Sequence, residues 1–331
     1  MITASHNPKD DNGYKVYSAR GCQIVSPMDK QIASRMRQLK LEDVCLGNLS
    51  KVVFAKASDV YEEFLKKLPA VFNANLPKIV YTPVHGVGWE YIERMIPTLI
   101  PVPEQKEPHP DFPTVKFPNP EEGKDTLRLA LDLADKEKAS LVMANDPDVD
   151  RFALAERTEK GGWKVFTGNE IAAMFADYVW ERARPRTVKA EDCYMLTTSV
   201  SSRLIQRMAQ QEGFRVEATF TGFKNIGNLA ADLTAKGKHV LFAFEEAIGF
   251  MIGTTVWEKD GISSVNLACR LASHLYAQEK TFLDYLQEIY EKYGRSLQLN
   301  SYYYITSPQP GEISKKIFLE IRRKLAEVPT Y

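Results

Sequence analysis

Leu141-Val142-Met143-Ala144-Asn145-Asp146-Pro147-Asp148-Val149-Asp150-Arg151 decides how the rest of this chain is read. The apolar run predicts a strand over Leu141–Asn145, and three carboxylates follow at alternate positions from its end. Open α/β sheets place their sites outside the carboxyl ends of strands, so the stretch predicts both a sheet and where its chemistry lies. Three acids this close repel one another unless a cation sits between them. Oxygen ligands select a hard ion such as Mg²⁺, and three carboxylates leave positions open for a phosphate oxygen or water. An EF-hand loop would need Gly at its sixth place and Glu at its twelfth, and these hold Arg151 and Arg157. The alternative left open is a solvated acidic loop without metal.

Outward from this loop, segments of helical period alternate with short β-branched runs, the pattern of consecutive α/β domains with mixed or mostly parallel sheets. Ser58–Leu68 predicts a helix capped by Ser58 and closed by Pro69. A strand over Lys78–Thr82 then leads through His85-Gly86-Val87-Gly88 into a helix ending near Met95, which places a boundary near residue 75. Pro101–Pro120 holds seven prolines and reads as a long surface loop. A helix over Thr126–Lys136 precedes the decisive strand, and strand Trp163–Phe166 and helix Asn169–Arg182 follow it. Beyond these come strand Cys193–Thr197, helix Ser201–Gln211, strand Arg215–Thr219, a helix at Thr221–Leu233, and strand Val240–Phe244. Helices over Ser264–Gln278 and Thr281–Tyr293 complete that unit.

The 331 residues are 44% hydrophobic and 26% charged, enough for two or three globular domains. Forty-three basic residues balance 43 acidic ones, which excludes the broad basic field that attracts nucleic acid or anionic lipid. An anion site must therefore be local. Cys22, Cys45, Cys193 and Cys269 are widely spaced, with no CxxC pair, which favours reduced core thiols and a cytoplasmic protein. No apolar run reaches the length of a membrane span.

Three further stretches carry chemistry. Thr3-Ala4-Ser5-His6-Asn7-Pro8 sets a hydroxyl beside an imidazole ahead of a turn-forming Asn-Pro. It lacks the GxSxG elbow of a serine hydrolase, and taken alone it reads as an ordinary surface loop with an adjacent histidine. In Phe244-Glu245-Glu246-Ala247-Ile248-Gly249-Phe250 an acidic pair sits among apolar residues, either salt-bridged or facing a ligand's hydroxyls. Lys259, in Lys259-Asp260-Gly261, is either an exposed turn lysine or a group that meets phosphate or moves a proton.

Together, Thr-Ala-Ser-His-Asn-Pro, Asp-x-Asp-x-Asp-Arg and Glu-Glu-x-x-Gly, in this order, resemble the phosphoserine, metal and sugar-binding loops of the α-D-phosphohexomutases. Asp11–Lys15, Thr82–Gly88, Phe117–Glu121 and Thr221–Lys224 extend the resemblance over nearly the whole chain. Its details look most like the eukaryotic branch of phosphopentomutases and glucose 1,6-bisphosphate synthases. The resemblance implies consecutive mixed-sheet α/β domains and a phosphosugar substrate. It also implies an exchange in which phospho-Ser5 gives its phosphoryl group to a sugar monophosphate and takes one back from the bisphosphate, primed by a sugar bisphosphate. Ser5, with Asp146, Asp148 and Asp150, would hold Mg²⁺. His6, Lys15 and Lys259 would move protons, Arg151 and Glu245 would contact substrate, and Thr221, Gly222 and Lys224 would reach its distal phosphate. Ala247 stands where many hexose mutases have Ser, which removes a hydroxyl contact and predicts a looser preference for glucose. A glucose 1,6-bisphosphate synthase, or a non-catalytic phosphosugar-binding fragment, is the alternative activity.

The resemblance also divides the chain. Residues 1–74 would hold the later part of domain 1, 75–190 domain 2, 191–306 domain 3, and 307–331 the entry to domain 4. The family's Arg-(Ser/Thr)-x-Gly-Thr-Glu-Pro phosphate loop is not found after Ser301–Thr306, where Pro308-Gln309-Pro310 and a helix over Glu312–Glu327 follow. The chain is accordingly expected to lack the start of domain 1 and most of domain 4, and to turn over negligibly by itself.

Overall fold

The chain opens with turns rather than long elements: Ile2 bridges Tyr14, and Tyr17 bridges Gln23. In the computed structural model, which describes residues 1–40, 42, 56–71, 75–122, 124–298 and 305–326, Met1–Ser296 form one unit and Leu297–Tyr331 a second. Helix α1 (Met28–Met36) buries none of its residues. Helix α2 (Ala57–Lys67) starts with Lys56, not Ser58, in the N-cap position, and no side chain caps it. It ends where predicted, because Pro69 forces Leu68 into an extended conformation, ψ 140°.

The first sheet is built from β1 (Ile79–Thr82), α3 (Trp89–Met95), β2 (Ile100–Pro101), α4 (Lys124–Glu137), β3 (Leu141–Ala144), β4 (Ala153–Arg157) and β5 (Trp163–Val165). Its order is β2-β1-β3-β4-β5. β1, β2 and β3 are parallel, while β4 returns antiparallel to β3 with Leu154 opposite Met143. β1 and β3 are apolar and buried at nearly every position, as strands covered on both faces must be.

Thr167 and Glu170 form a reciprocal cap on α5 (Gly168–Tyr178), which continues as a π-helical turn over Val179–Ala183. The second sheet follows with β6 (Cys193–Thr198), α6 (Leu204–Glu212), β7 (Arg215–Thr219), α7 (Phe223–Ala235), β8 (His239–Glu245) and β9 (Gly249–Ile252). Its order is β7-β6-β8-β9, three parallel strands and an antiparallel return. The two sheets thus repeat one topology, strand-helix-strand-helix-strand and then a reversed strand. The acidic loop and the Glu245–Gly249 loop occupy equivalent places in it, between the third parallel strand and its return.

Helices α8 (Gly261–Tyr276) and α9 (Phe282–Tyr293) complete this unit, and α10 (Pro310–Ala326) is the helix of the second. Among the described residues no helix is long and apolar enough to cross a membrane. Cys22, Cys193 and Cys269 are buried. Cys45, the 72–74 boundary and 299–304 lie outside the described residues.

Glu156, on β4 and only 2% exposed, accepts the backbone N–H groups of Phe282 at 2.8 Å and Leu283 at 2.9 Å. It thereby caps α9 from a strand of the first sheet, satisfying donors that the helix cannot satisfy itself. Burial pushes its carboxyl above the usual range, and the two N–H groups hold it down only in part. Glu156→Ala would leave both donors unpaired. It is expected to lower the free energy of urea unfolding by about 2–3 kcal/mol, with Glu156→Gln recovering about half. An alanine variant as stable as the parent would show that this link carries no stability.

Candidate active site

The acidic loop hangs from the end of β3 by Asn145. Tyr81 Oη donates to Asn145 Oδ1 at 2.7 Å, and Asn145 Nδ2 donates to the Arg151 carbonyl at 2.5 Å, closing the loop on itself. Asp146 is fully buried, and its Oδ1 accepts the N–H groups of Asp150 at 3.1 Å and Arg151 at 2.9 Å. Val149, a β-branched residue, is forced to φ 63°. The start of α8 rests on this loop, where Gly261 N–H donates to the Val149 carbonyl at 2.7 Å. A Cβ on Gly261 would fall 2.7 Å from that oxygen and 2.9 Å from the Arg151 carbonyl, so only glycine permits the approach.

Ser5 reaches the loop from the opposite end of the sequence. The Ile2–Tyr14 bridge closes the turn that carries it, and its own backbone is left-handed, φ 55°. Its N–H donates to Thr3 Oγ1 at 2.8 Å, and Thr3 Oγ1 donates to Asp148 Oδ2 at 3.1 Å. Ser5 Oγ then lies 2.8 Å from Asp146 Oδ2, 3.0 Å from Asp148 Oδ1 and 3.1 Å from His6 Nδ1. One hydroxyl proton cannot serve two carboxylates at once, so this is a cluster of acceptor oxygens short of positive charge.

That shortage bears on what could bind. Asp146, Asp148 and Asp150 each offer an oxygen within 4.8 Å of the others. Burial, with Asp150 and Asp148 beside it, drives the Asp146 carboxyl well above its usual range, a cost of crowding that a bound cation would relieve. Asp150 Oδ1 is buried with no hydrogen-bond partner, an orphaned acceptor of the kind an ion would satisfy. Asp150 Oδ2 meets both Lys15 Nζ and Lys259 Nζ at 3.2 Å. Burial alone would raise the Asp150 carboxyl, but Lys259, Lys15 and Arg151 bring it below the usual range. Both ammonium groups are held protonated in return: burial opposes this, and the carboxylates, Asp150 first, outweigh it. The donor set fits a hard divalent cation.

His6 is fixed on both sides. Its Nε2 lies 3.2 Å from Arg151 Nη2, and a guanidinium can only donate, so Nε2 accepts. Burial, and then Arg151, lower the imidazole pKa to about 4, so the ring is neutral at pH 7. Its single proton must therefore sit on Nδ1 and point at Ser5 Oγ. Arg151 is held in turn by Glu121 Oε2 at 2.9 Å and Asn119 Oδ1 at 3.3 Å.

The second loop closes from the other sheet. Glu245 Oε1 accepts Gly222 N–H at 2.8 Å, and burial raises its carboxyl above the usual range. Glu246 instead turns inward and accepts the hydroxyls of Ser201 at 2.8 Å and Thr198 at 3.1 Å. The Ile248 carbonyl, at a residue with φ 52°, accepts Phe152 N–H at 2.9 Å and ties this loop to the acidic one. Ser5, His6, Lys15, Arg151, Lys259 and the three aspartates are thus joined by direct contacts. Glu245 and Gly222 form a neighbouring pair, Ala247 is half-buried, and Thr221 and Lys224 are exposed, hydrogen-bonding within their own turn rather than to the cluster among the described residues. Thr3, Asn119, Glu121 and Asn145 complete the arrangement. The Thr-Ala-Ser and Pro-Asn-Pro-Glu runs contain Thr3, Asn119 and Glu121, but their residue types alone mark no role. A cleft of about 380 Å³ opens on Ser5 and Asp148, walled by Asn7, Val87 and Phe112.

Known proteins share this organisation. The phosphoglucomutase/phosphomannomutase alpha/beta/alpha domains I, II and III match residues 1–43, 59–161 and 167–293. Human glucose 1,6-bisphosphate synthase is 42% identical over 97% of this chain and 54% of its own length. Human phosphopentomutase is 42% identical over 97% of this chain and 55% of its own. Saccharomyces cerevisiae phosphoribomutase is 38% identical over 97% and 56%. The chain spans about half the length of these curated relatives. Among solved structures, Paramecium parafusin, a phosphoglucomutase in its open form, superposes with TM-score 0.62 at 20% identity, covering 89% of this chain and 56% of its own. Aspergillus fumigatus N-acetylphosphoglucosamine mutase, solved with GlcNAc-6P and magnesium, gives 0.57 at 15% identity over 97% and 80%. With three of the family's domains matched along the chain and relatives of about 40% identity over nearly all of it, this protein belongs to the phosphoglucomutase/phosphomannomutase family.

Proposed function

We propose that this chain carries the phosphoryl-transfer site of a cytoplasmic phosphosugar mutase that interconverts the 1-phosphate of a pentose or hexose with its 5- or 6-phosphate. Residues 1–74 would supply the phosphoserine loop, 75–190 the metal loop and 191–306 the sugar loop. The observation that carries the reading is the position of Ser5 Oγ, in hydrogen-bond reach of Asp146, Asp148 and His6 together.

In the first step a sugar hydroxyl oxygen attacks the phosphorus of phospho-Ser5 and the P–Oγ bond breaks. The hydroxyl proton ends on Ser5 Oγ, leaving a sugar bisphosphate and free serine. After the bisphosphate turns round, the reverse step returns its other phosphoryl group to Ser5. His6 Nδ1–H points at the oxygen that leaves phosphorus and stabilises charge developing there. Lys15 and Lys259, already protonated, flank the same space and meet the incoming phosphate; they are also the groups placed to relay the hydroxyl proton. Mg²⁺ held by Asp146, Asp148, Asp150 and a Ser5 phosphate oxygen would neutralise part of the charge of two phosphates brought together. Glu245 would hold sugar hydroxyls, and Thr221, Gly222 and Lys224 the distal phosphate. Equal similarity to a glucose 1,6-bisphosphate synthase supports a second reading, in which the bisphosphate is released instead of turning round.

Incubation with glucose 1,6-bisphosphate is expected to place one phosphate on Ser5, seen by peptide mass spectrometry, and Ser5→Ala should lose it without change in fold. Phosphate elsewhere, or none, would sink the assignment. Asp148→Asn is expected to weaken Mg²⁺ binding, measured by calorimetry, by at least roughly tenfold, equivalent to about 1.4 kcal/mol. An unchanged affinity would remove the loop as the metal site. Ala247→Ser should favour glucose over pentose phosphates by roughly fivefold in kcat/KM, about 1 kcal/mol for one hydrogen bond. An unchanged ratio would show that this position does not read the sugar.

A further inference from the structure

A second cavity lies at the far end of the second sheet from the catalytic loops. It has a volume of about 510 Å³, within the range of small-molecule sites. His239, at the first position of β8, lines it, whereas Glu245 of the sugar loop ends the same strand. Six residues of extended chain separate the two by roughly 20 Å. Helix α8 connects the same two places: its first residue, Gly261, rests on the acidic loop, and Arg270, about 14 Å further along, reaches the cavity.

The chemistry of the lining is one-sided. Its charged residues are Lys67, Lys238 and Arg270, with His239 beside them, and no carboxylate lines it among the described residues. In a chain whose charges balance overall, this is a local excess. Lys238 is answered by Asp192 at 2.6 Å, outside the cavity. Lys67 and Arg270 have no such answer. The half-buried Arg270 guanidinium packs 5.9 Å over the Tyr178 ring, and among the described residues neither cation has an ion-pair partner. A half-buried arginine without a counter-charge is costly to keep and fits an oxyanion bidentately. Thr254 and Thr255 add hydroxyl groups, and Leu241, Ile252 and Leu267 supply an apolar wall.

We propose that this cavity is a second binding site, separate from the phosphoryl-transfer site, for a small phosphorylated molecule. Its phosphate would lie between Arg270 and Lys67 and its carbon body against the Leu241–Ile252 wall. Two cations without an ion-pair partner among the described residues suit the dianion of a phosphate monoester better than a monoanionic carboxylate. The proposal does not depend on the activity assigned to Ser5.

Pyridoxal 5′-phosphate tests it, because the probe carries a phosphate monoester and its aldehyde forms an imine with a nearby lysine that borohydride then fixes. Peptide mapping should find Lys67 or Lys238 labelled several-fold above an exposed lysine such as Lys136. Excess inorganic phosphate should protect that lysine. Arg270→Met should reduce its labelling several-fold while Arg270→Lys retains most of it, and label at Lys15 or Lys259 should be unaffected by either change. Labelling of Lys67 and Lys238 at the level of Lys136, or no protection by phosphate in the unaltered protein, would overturn the proposal, and neither result depends on how well a variant folds.

Discussion

Three carboxyl groups with oxygens within 4.8 Å of one another, two of them buried, set the constraint around which this protein is arranged. Such crowding is tolerated only if charge is brought to it. The compensation comes from segments far apart in sequence: Lys15 from the opening turns, Arg151 from the loop itself, and Lys259 from beyond the second sheet. Meeting that electrostatic demand therefore draws the Ser5 loop and the Lys259 turn onto the end of the first sheet. The same contacts that relieve repulsion assemble the groups on which the proposed phosphoryl transfer rests.

The fold supplies equivalent mounting points for this chemistry. In each sheet the third parallel strand reverses into an antiparallel neighbour, and the reversal carries a loop of the candidate site. Ser5, Val149 and Ile248 hold left-handed backbones in the three loops, with φ 55°, 63° and 52°. A non-glycine residue in that region costs about 1–3 kcal/mol and persists only where its surroundings over-determine it. Here the surroundings are explicit: the Thr3 hydroxyl beneath Ser5, Gly261 N–H on Val149, and Phe152 N–H on Ile248. Rigidity paid for in this way suits a site that must hold several like charges at fixed separations.

Much of the framework was legible because long periodic segments and apolar runs declare themselves; the strands at Cys193, Arg215 and Val240 fall within a residue or two of their predicted bounds. What escaped did so for local reasons. β4 and β9 are short stretches, ALAER and GFMI, that periodicity cannot assign to helix or strand. α1 spaces Met28, Ile32 and Met36 a turn apart, but the stripe is only two turns long and buries nothing, too short a signal to declare a helix. Ser58 has the side chain of a cap, but the helix begins one residue before it, since tertiary contacts rather than capping propensity fix where a helix starts.

The sequence by itself determined the inventory: a serine beside a histidine, three alternating aspartates after a strand, an acidic pair after another, and lysines at two turns. Residue type and spacing are enough for that, because hydroxyl, carboxylate and ammonium chemistry is carried by each side chain alone. Only the tertiary structure decided what state those groups are in. That Asp150 is held below the usual carboxylate range and shared by Lys15 and Lys259, and that His6 must carry its proton on Nδ1, follow from neighbours more than 100 residues away in the chain. Protonation and hydrogen-bond direction depend on through-space distance and burial, and no local pattern of residues encodes either.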